Sequence, residues 1–199
     1  MKNILYIGLC FFLGCSSTSQ VEIQYNQYEN IWHNNEVAIS FGYSINELCH
    51  KSNKAIKSSM STWQNSGAIL PVILFNNSDD LEASYDGINS ISASEIEIPG
   101  HQNDLAITIS YTNSDSKEIL EADIIINAKY SYTTSDNCDE EYDLQNIMTH
   151  EFGHLFGLHD DFTNNNSTMY IKSAHCETNK RDLYYTDLEN IVNFYGTKQ

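Results

Sequence analysis

Two histidines and a glutamate near position 150 have the types and the spacing needed to bind a metal ion. His150 and His154 are four positions apart. On an α-helix this spacing places both side chains on one face, where two imidazole nitrogens can bind one metal. Glu151 follows the first histidine, so its carboxylate would lie beside the metal as a base. A zinc ion with a third protein ligand and an open position makes water acidic near neutral pH, so the pattern predicts a zinc site suited to hydrolysis.

A glycine after these residues strengthens this prediction. Gly157 lies three positions after His154, where a helix must end if the chain is to turn back and bring a third ligand to the metal. Glycine tolerates the left-handed backbone conformation that such an end requires. An ordinary amphipathic helix with surface histidines has no need of that glycine.

The whole run from His150 to Asp160 resembles the metzincin signature HExxHxxGxxH, and the wording HEFGHxxGL is closest to the matrixin branch. Downstream, the four residues 167–170 read Ser-Thr-Met-Tyr and resemble the matrixin Met-turn. In that turn a methionine side chain, here Met169, lies beneath the metal as an apolar floor. The resemblance is strong over residues 142–196 and only architectural before them.

The third ligand departs from this signature. Its histidine would fall at position 160, which is Asp160, while His159 lies one position earlier. Either Asp160 binds through a carboxylate oxygen, as in snapalysin-like metzincins, or the loop shifts by one residue and His159 binds. We favour Asp160 because the spacing from the glycine is kept and carboxylate is an acceptable zinc ligand. His159 would then be a surface residue or a partner of a ligand.

The resemblance implies an α+β fold of the metzincin type, with a twisted and mostly parallel sheet, a long helix, the zinc-binding helix, the Met-turn and a closing helix. It implies a zinc-dependent endopeptidase of proteins with one catalytic zinc, water as the nucleophile and Glu151 as general base. A peptide substrate would lie extended along an edge strand that the sequence does not identify. Residues 170–178, called here the wall loop, would form the pocket beyond the cleaved bond.

A second hypothesis is a catalytically silent surface lipoprotein of metzincin fold that binds a protein partner. Glu151 argues against it, because a binding scaffold has no physical need for a carboxylate beside two metal-facing imidazoles.

The elements that would position these residues can be followed along the chain. Strand composition predicts strands at 37–43, 68–75, 88–98, 105–111 and 122–128. Apolar residues near one face predict a single helix from Ser44 through Asn65. The closing helix is predicted over 186–196, with a cap at Thr186 and a stop at Gly196.

The amino terminus predicts export. Lys2 precedes an apolar run from Ile4 to Leu13, which is typical of a signal peptide and too short to span a bilayer as a helix. Gly14-Cys15 resembles the end of a bacterial lipoprotein signal. We expect residues 1–14 to be the signal peptide, 15–35 the lipidated Cys15 with a flexible tether, and 36–199 the catalytic domain. The protein would be anchored by lipid to the bacterial outer membrane, or secreted if Cys15 is not acylated.

The charge balance narrows the partners. Twenty-seven acidic and 10 basic residues give a formal net charge of −17, which disfavours nucleic acid and any basic attachment to anionic lipid. We expect a monomer that contacts membrane only through its anchor. Acidic stretches such as Asp79-Asp80 leave room for structural calcium. His33, His50 and His101 lack the spacing of the second zinc site of matrixins and are predicted to be surface histidines.

Three cysteines, Cys49, Cys138 and Cys176, remain in the exported domain. An oxidising compartment favours one disulfide and one spare thiol. A bridge between Cys138 and Cys176 would clamp the chain just before the zinc helix and just after the Met-turn. Cys49 is a competitor for either partner, and the sequence does not fix the pairing.

Overall fold

The computed structural model describes residues 4–7, 30–78 and 81–198. Cys15 and Asp79-Asp80 lie outside these residues, so the predicted lipidation and the acidic pair have no structural description. None of the helices in the described ranges is long and apolar enough to cross a membrane.

Within the described residues the main sheet has six strands. They are β1 (Ile4–Ile7), β2 (Glu36–Gly42), β3 (Val72–Ser78), β4 (Asn89–Ser94), β5 (Ala106–Asn113) and β6 (Glu118–Asn127). The spatial order is β1-β5-β6-β4-β2-β3. Strands β2, β3, β4 and β6 are parallel, whereas β5 is antiparallel to β6 and β1 is antiparallel to β5. A separate pair joins β7 (Tyr132–Thr133) to β8 (Tyr142–Asp143). The predicted α+β fold with a mostly parallel sheet is confirmed.

Four helices of the described part of the chain accompany the sheet: α1 (Ile45–Leu48), α2 (Ser52–Gln64), α3 (Leu144–Leu155) and α4 (Tyr185–Tyr195). A short 3-10 turn at Asn179–Arg181 precedes α4.

The prediction of one helix from Ser44 through Asn65 was wrong. The chain breaks between α1 and α2, where Lys51 has a left-handed φ of 63°. The Ser44 hydroxyl does not cap a helix, because it accepts the backbone N–H of Ala93 on β4. The main-chain geometry at Lys51 interrupts a pattern of apolar residues that continues on both sides.

The predicted cap at Thr186 was also wrong, because α4 already begins at Tyr185. The Asp187 carboxylate accepts the backbone N–H of Tyr184 at 3.2 Å. The predicted end of this helix at Gly196 is correct, and the glycine has a φ of 76°.

The core lies between the sheet and the pair α2 and α3. Trp63 on α2 is fully buried, and its indole N–H donates to the carbonyl of Thr149 on α3 at 2.7 Å. Ile124 and Ile126 of β6 belong to this cluster. Burial of such large apolar side chains stabilises the packing of α3 against α2 and the sheet.

The packed region begins before the predicted boundary at Glu36. Ile31 forms backbone hydrogen bonds with Lys117 and Ile119. Trp32 is 4% exposed, and its indole N–H donates to the carbonyl of Leu155 at the end of α3 at 2.8 Å. This segment therefore fixes the end of the helix that carries the candidate metal ligands.

Gly157 follows α3 with a φ of 91°, and a Cβ there would lie 2.0 Å from the carbonyl oxygen of Asn30. We expect Gly157→Ala to lower the free energy of unfolding by about 3 kcal/mol, since it adds a backbone clash to the left-handed penalty. Gly87 has a similar φ of 85° and open space around it, so Gly87→Ala should cost only about 1 kcal/mol. Urea unfolding measures both values, and equal losses would contradict this account.

Candidate metal centre

Helix α3 is held firmly at its first residue. Asp143 precedes the helix, and its carboxylate accepts the backbone N–H of Asn146 at 2.8 Å, which satisfies one of the free donors of the first turn. Arg181 donates two hydrogen bonds to the same carboxylate, at 2.9 and 2.6 Å. The helix that follows is almost entirely buried. Its inward-facing polar residues are therefore held in fixed positions.

Three side-chain atoms converge beyond the middle of this helix. The Nε2 atoms of His150 and His154 are 3.1 Å apart. Asp160 Oδ1 lies 3.3 Å from the first and 3.4 Å from the second. Zinc bonds of 2.0–2.1 Å in tetrahedral geometry separate ligand atoms by about 3.3 Å. The three atoms therefore have the spacing of three corners of a zinc site.

Hydrogen bonds orient both imidazoles toward this point. His150 Nδ1 lies 2.9 Å from the carbonyl of Thr168, and His154 Nδ1 lies 2.8 Å from the carbonyl of Leu158. A carbonyl can only accept, so each Nδ1 carries the proton and each Nε2 presents a lone pair to the centre in the neutral ring. Two lone pairs and a carboxylate oxygen then face one another, and a cation satisfies all three.

The electrostatics of the metal-free group lead to the same conclusion. Burial alone would lower the pKa of His154, but the hydrogen bond and charge of Asp160, with Glu151 nearby, raise it to about 9. Burial alone would raise the pKa of Asp160, but His150 and His154 hold it well below its ordinary value. Positive charge is thus strongly favoured between these side chains, as a proton or as a metal ion.

The two candidates for the third ligand lie in different surroundings. The side chain of Asp160 is 6% exposed and joins His150 and His154 in one group of atoms that could hold a metal. His159 is exposed and is not a member of that group. The arrangement thus favours the carboxylate.

The Met-turn packs directly against α3, the helix that carries His150 and His154. Met169 is 3% exposed, and a Cβ added to Gly153 would lie 2.1 Å from its sulfur. Gly153 immediately precedes His154 on α3, so only a residue without a side chain leaves room for the methionine there. Backbone hydrogen bonds of 2.7 and 3.1 Å join Asp161 to Met169 and Ile171, which ties the turn to the loop that carries Asp160.

A buried aspartate from α4 fixes the same turn. Asp187 is 1% exposed and accepts the Ser167 hydroxyl and the Thr168 N–H, both at 2.7 Å. Thr168 also supplies the carbonyl that orients His150. Sequence reasoning did not single out Asp187, although an acidic residue within the first turn of the predicted closing helix was a usable signal.

Glu151 is buried beside the group, with 3% exposure. Its Oε2 accepts the hydroxyl of Thr108, a residue of β5, at 2.7 Å. Thr108 was predicted only as part of a strand. Its polar side chain within a run of apolar strand residues was the available signal for a role at the site.

The structure also describes the three cysteines of the domain and His101. Cys138 and Cys176 form a disulfide that encloses α3 and the Met-turn, and Cys49 keeps a free thiol whose pKa is raised to about 11 by burial and by Asp143. His101 was predicted to be a surface residue, and this was wrong. It is 6% exposed, and its Nδ1 lies 2.7 Å from a carboxylate oxygen of the buried Asp104.

The choice of third ligand has a direct test. We expect Asp160→Ala to lower zinc affinity by more than about 100-fold, because even residues that merely orient zinc ligands are worth 10- to 100-fold. His159→Ala is the matched control and should keep full zinc content. Zinc stoichiometry after dialysis against a competing chelator measures both variants. Loss of zinc from His159→Ala alone would reverse the assignment.

Zinc loading should also release protons. The pKa of about 9 places a proton on His154 in the metal-free protein at neutral pH. Zinc must displace it, so we expect about one proton to leave per zinc ion near neutral pH, and affinity to rise with pH up to about pH 9. Calorimetry in buffers of different ionisation enthalpy counts the protons. Zinc binding without proton release would contradict the hydrogen-bonded arrangement.

Comparison with known proteins assigns the chain to a family. No curated protein matches the sequence. A family model described as Matrixin matches residues 31–196, a span that contains the helices, the convergent His-His-Asp group and the Met-turn. The predicted resemblance is confirmed, and the chain belongs to the matrixin family of metallopeptidases.

Proposed function

We propose that this protein is a zinc-dependent endopeptidase that hydrolyses peptide bonds within proteins. His150, His154 and Asp160 are the zinc ligands, and Glu151 is the general base. The observation that carries the proposal is the convergence of three metal-binding atoms at zinc spacing, with a buried carboxylate beside them. Membership in the matrixin family supports metallopeptidase activity in general.

The donor set suits zinc, since two imidazoles and one carboxylate leave a fourth position open. When bound, the metal supplies Lewis-acid polarisation of the scissile carbonyl and makes water acidic. Glu151 accepts the proton of the attacking water and returns it to the nitrogen of the leaving amine. Its burial favours this transfer because little solvent surrounds the carboxylate.

Strand β5 is the best candidate for the edge that aligns the substrate. It is the last strand of the sheet formed by residues 30–198, and its Thr108 contacts Glu151. Ile4–Ile7 pairs antiparallel with β5 from Ile109 to Thr112, so this edge accepts extended backbone. We infer that a substrate pairs in the same direction farther along, near Ala106, which brings its backbone past the catalytic group.

The wall loop, residues 170–178, would line the pocket for the side chain beyond the cleaved bond. A buried lysine stiffens it from within. Lys180 is 2% exposed, and its ammonium donates to the carbonyl of Tyr170 and to the hydroxyl of Ser173. The disulfide at Cys176 holds the other end of the loop. A fixed wall favours a defined preference at this position of the substrate.

Export remains part of the proposal. A disulfide across the site suits an oxidising compartment, and the signal-like amino terminus supplies the route. We infer acylation of Cys15 and attachment to the outer membrane, or secretion without it. A monomeric state and contact with the membrane only through the anchor belong to the same proposal.

The test compares the chain from Ser16 onward with its Glu151→Ala variant at equal zinc content on an unfolded protein substrate. We expect cleavage by the first, and a loss of about 1000-fold in kcat/KM for the second, the order expected for a general base. Cleavage products are followed by mass spectrometry.

The other outcomes are distinct. Equal activity of the two proteins would contradict the role of Glu151. Inactivity of both with zinc bound would favour the silent, partner-binding lipoprotein. Inactivity without bound zinc would show that the ligand assignment has failed.

A further inference from the structure

A single buried hydroxyl links the edge strand to the general base. Thr108 is 2% exposed, and its Oγ1 lies 2.7 Å from Glu151 Oε2 and 3.2 Å from the Glu151 carbonyl oxygen. The hydroxyl has one proton, and the shorter contact is to the charged acceptor. Hydrogen bonds to a carboxylate are the stronger kind, so the proton points at Oε2.

The pleat of β5 explains why this hydroxyl faces the helix. Side chains alternate between the two faces of a strand. Ala106 belongs to the core cluster on the helix side, while Ile107 and Ile109 belong to the cluster on the opposite side. Thr108 therefore shares the helix-facing side with Ala106. A hydroxyl buried there needs a partner, and Glu151 is its partner.

We propose that Thr108 is the positioning residue of the general base. This role rests on the proposed function, because it concerns how Glu151 is presented to the attacking water. With Oε2 held by Thr108, the orientation of the carboxylate is restrained. Oε1 takes no hydrogen bond from the residues that the structure describes, so it is the oxygen left to act.

One proton moves through Glu151 during hydrolysis of the peptide bond. Oε1 of Glu151 accepts a proton as water forms its bond to the carbonyl carbon of the substrate. The same proton then passes to the leaving nitrogen as the C–N bond breaks, and Glu151 ends ionised as it began. Thr108 keeps its own proton throughout, so its contribution is orientation alone.

Thr108 also lies on the strand along which the substrate is proposed to pair. Its backbone is held in register by pairing with Ile124 of β6, and β6 is a central strand of the sheet. The outer edge of the same strand is where the substrate backbone is proposed to pair. One rigid strand thus fixes both the peptide and the carboxylate, which is the condition for efficient proton transfer.

Thr108→Val removes the hydroxyl and keeps the shape of the side chain. We expect kcat to fall by about tenfold, a fraction of what a general base contributes, with KM nearly unchanged. Thr108→Ser retains the hydroxyl and should restore kcat to within about threefold of the wild-type value. Thr112→Val alters another buried threonine of β5 that has no hydrogen bond to Glu151, and it should leave kcat unaltered.

Three measurements on the zinc-loaded protein separate orientation from packing. Zinc content and thermal unfolding of each variant show whether the site is intact. If Thr108→Val does not fold, Thr108→Ala carries the same expectation for kcat. In a Glu151→Gln background, Thr108→Val should cause no further loss, because the group that it orients is no longer a base.

Wild-type kcat in Thr108→Val, or equal losses in the Val and Ser variants, would overturn this role while leaving the proposed function standing. An additive loss in the Glu151→Gln background would overturn it as well. Absence of cleavage by the wild-type protein would contradict the proposed function itself, and this role with it.

Discussion

Three atoms that carry lone pairs, two imidazole nitrogens and one carboxylate oxygen, are held within 3.4 Å of one another. This arrangement is the constraint on which the rest of the structure depends. Such atoms repel or compete for protons unless a cation lies between them. Keeping them together requires neighbours that fix each ring, and the structure supplies these from several distant parts of the chain.

Different residues fix the zinc helix and the Met-turn. Trp32 and Trp63 donate to carbonyls of α3 and fix the helix. Asp187 holds the Met-turn, and the carbonyl of Thr168 in that turn orients His150. The disulfide joins two cysteines 38 positions apart, and α3 and the Met-turn lie between them in the sequence. A chain-entropy estimate assigns about 4 kcal/mol to a closure of this length, so the bridge is a substantial part of the support.

Local pattern was enough to predict much of this molecule. Helix periodicity placed His150 and His154 on one face with Glu151 beside the metal, and strand composition located the main strands. The pairings that complete the site escaped prediction because they join residues far apart in sequence. Thr108 meets Glu151 across 43 positions, and Asp187 meets Thr168 across 19. The pair of His101 and Asp104 is local, three positions apart, but no motif marked it. The break at Lys51 depends on one backbone angle that composition does not reveal.

X-ray absorption at the zinc edge of the metal-loaded protein tests the central claim most directly. The account predicts two imidazole nitrogens, one carboxylate oxygen and one further oxygen, all at about 2.0–2.1 Å. A spectrum with three imidazole ligands would contradict Asp160 as the third ligand. A site with no histidine ligand would contradict the account as a whole.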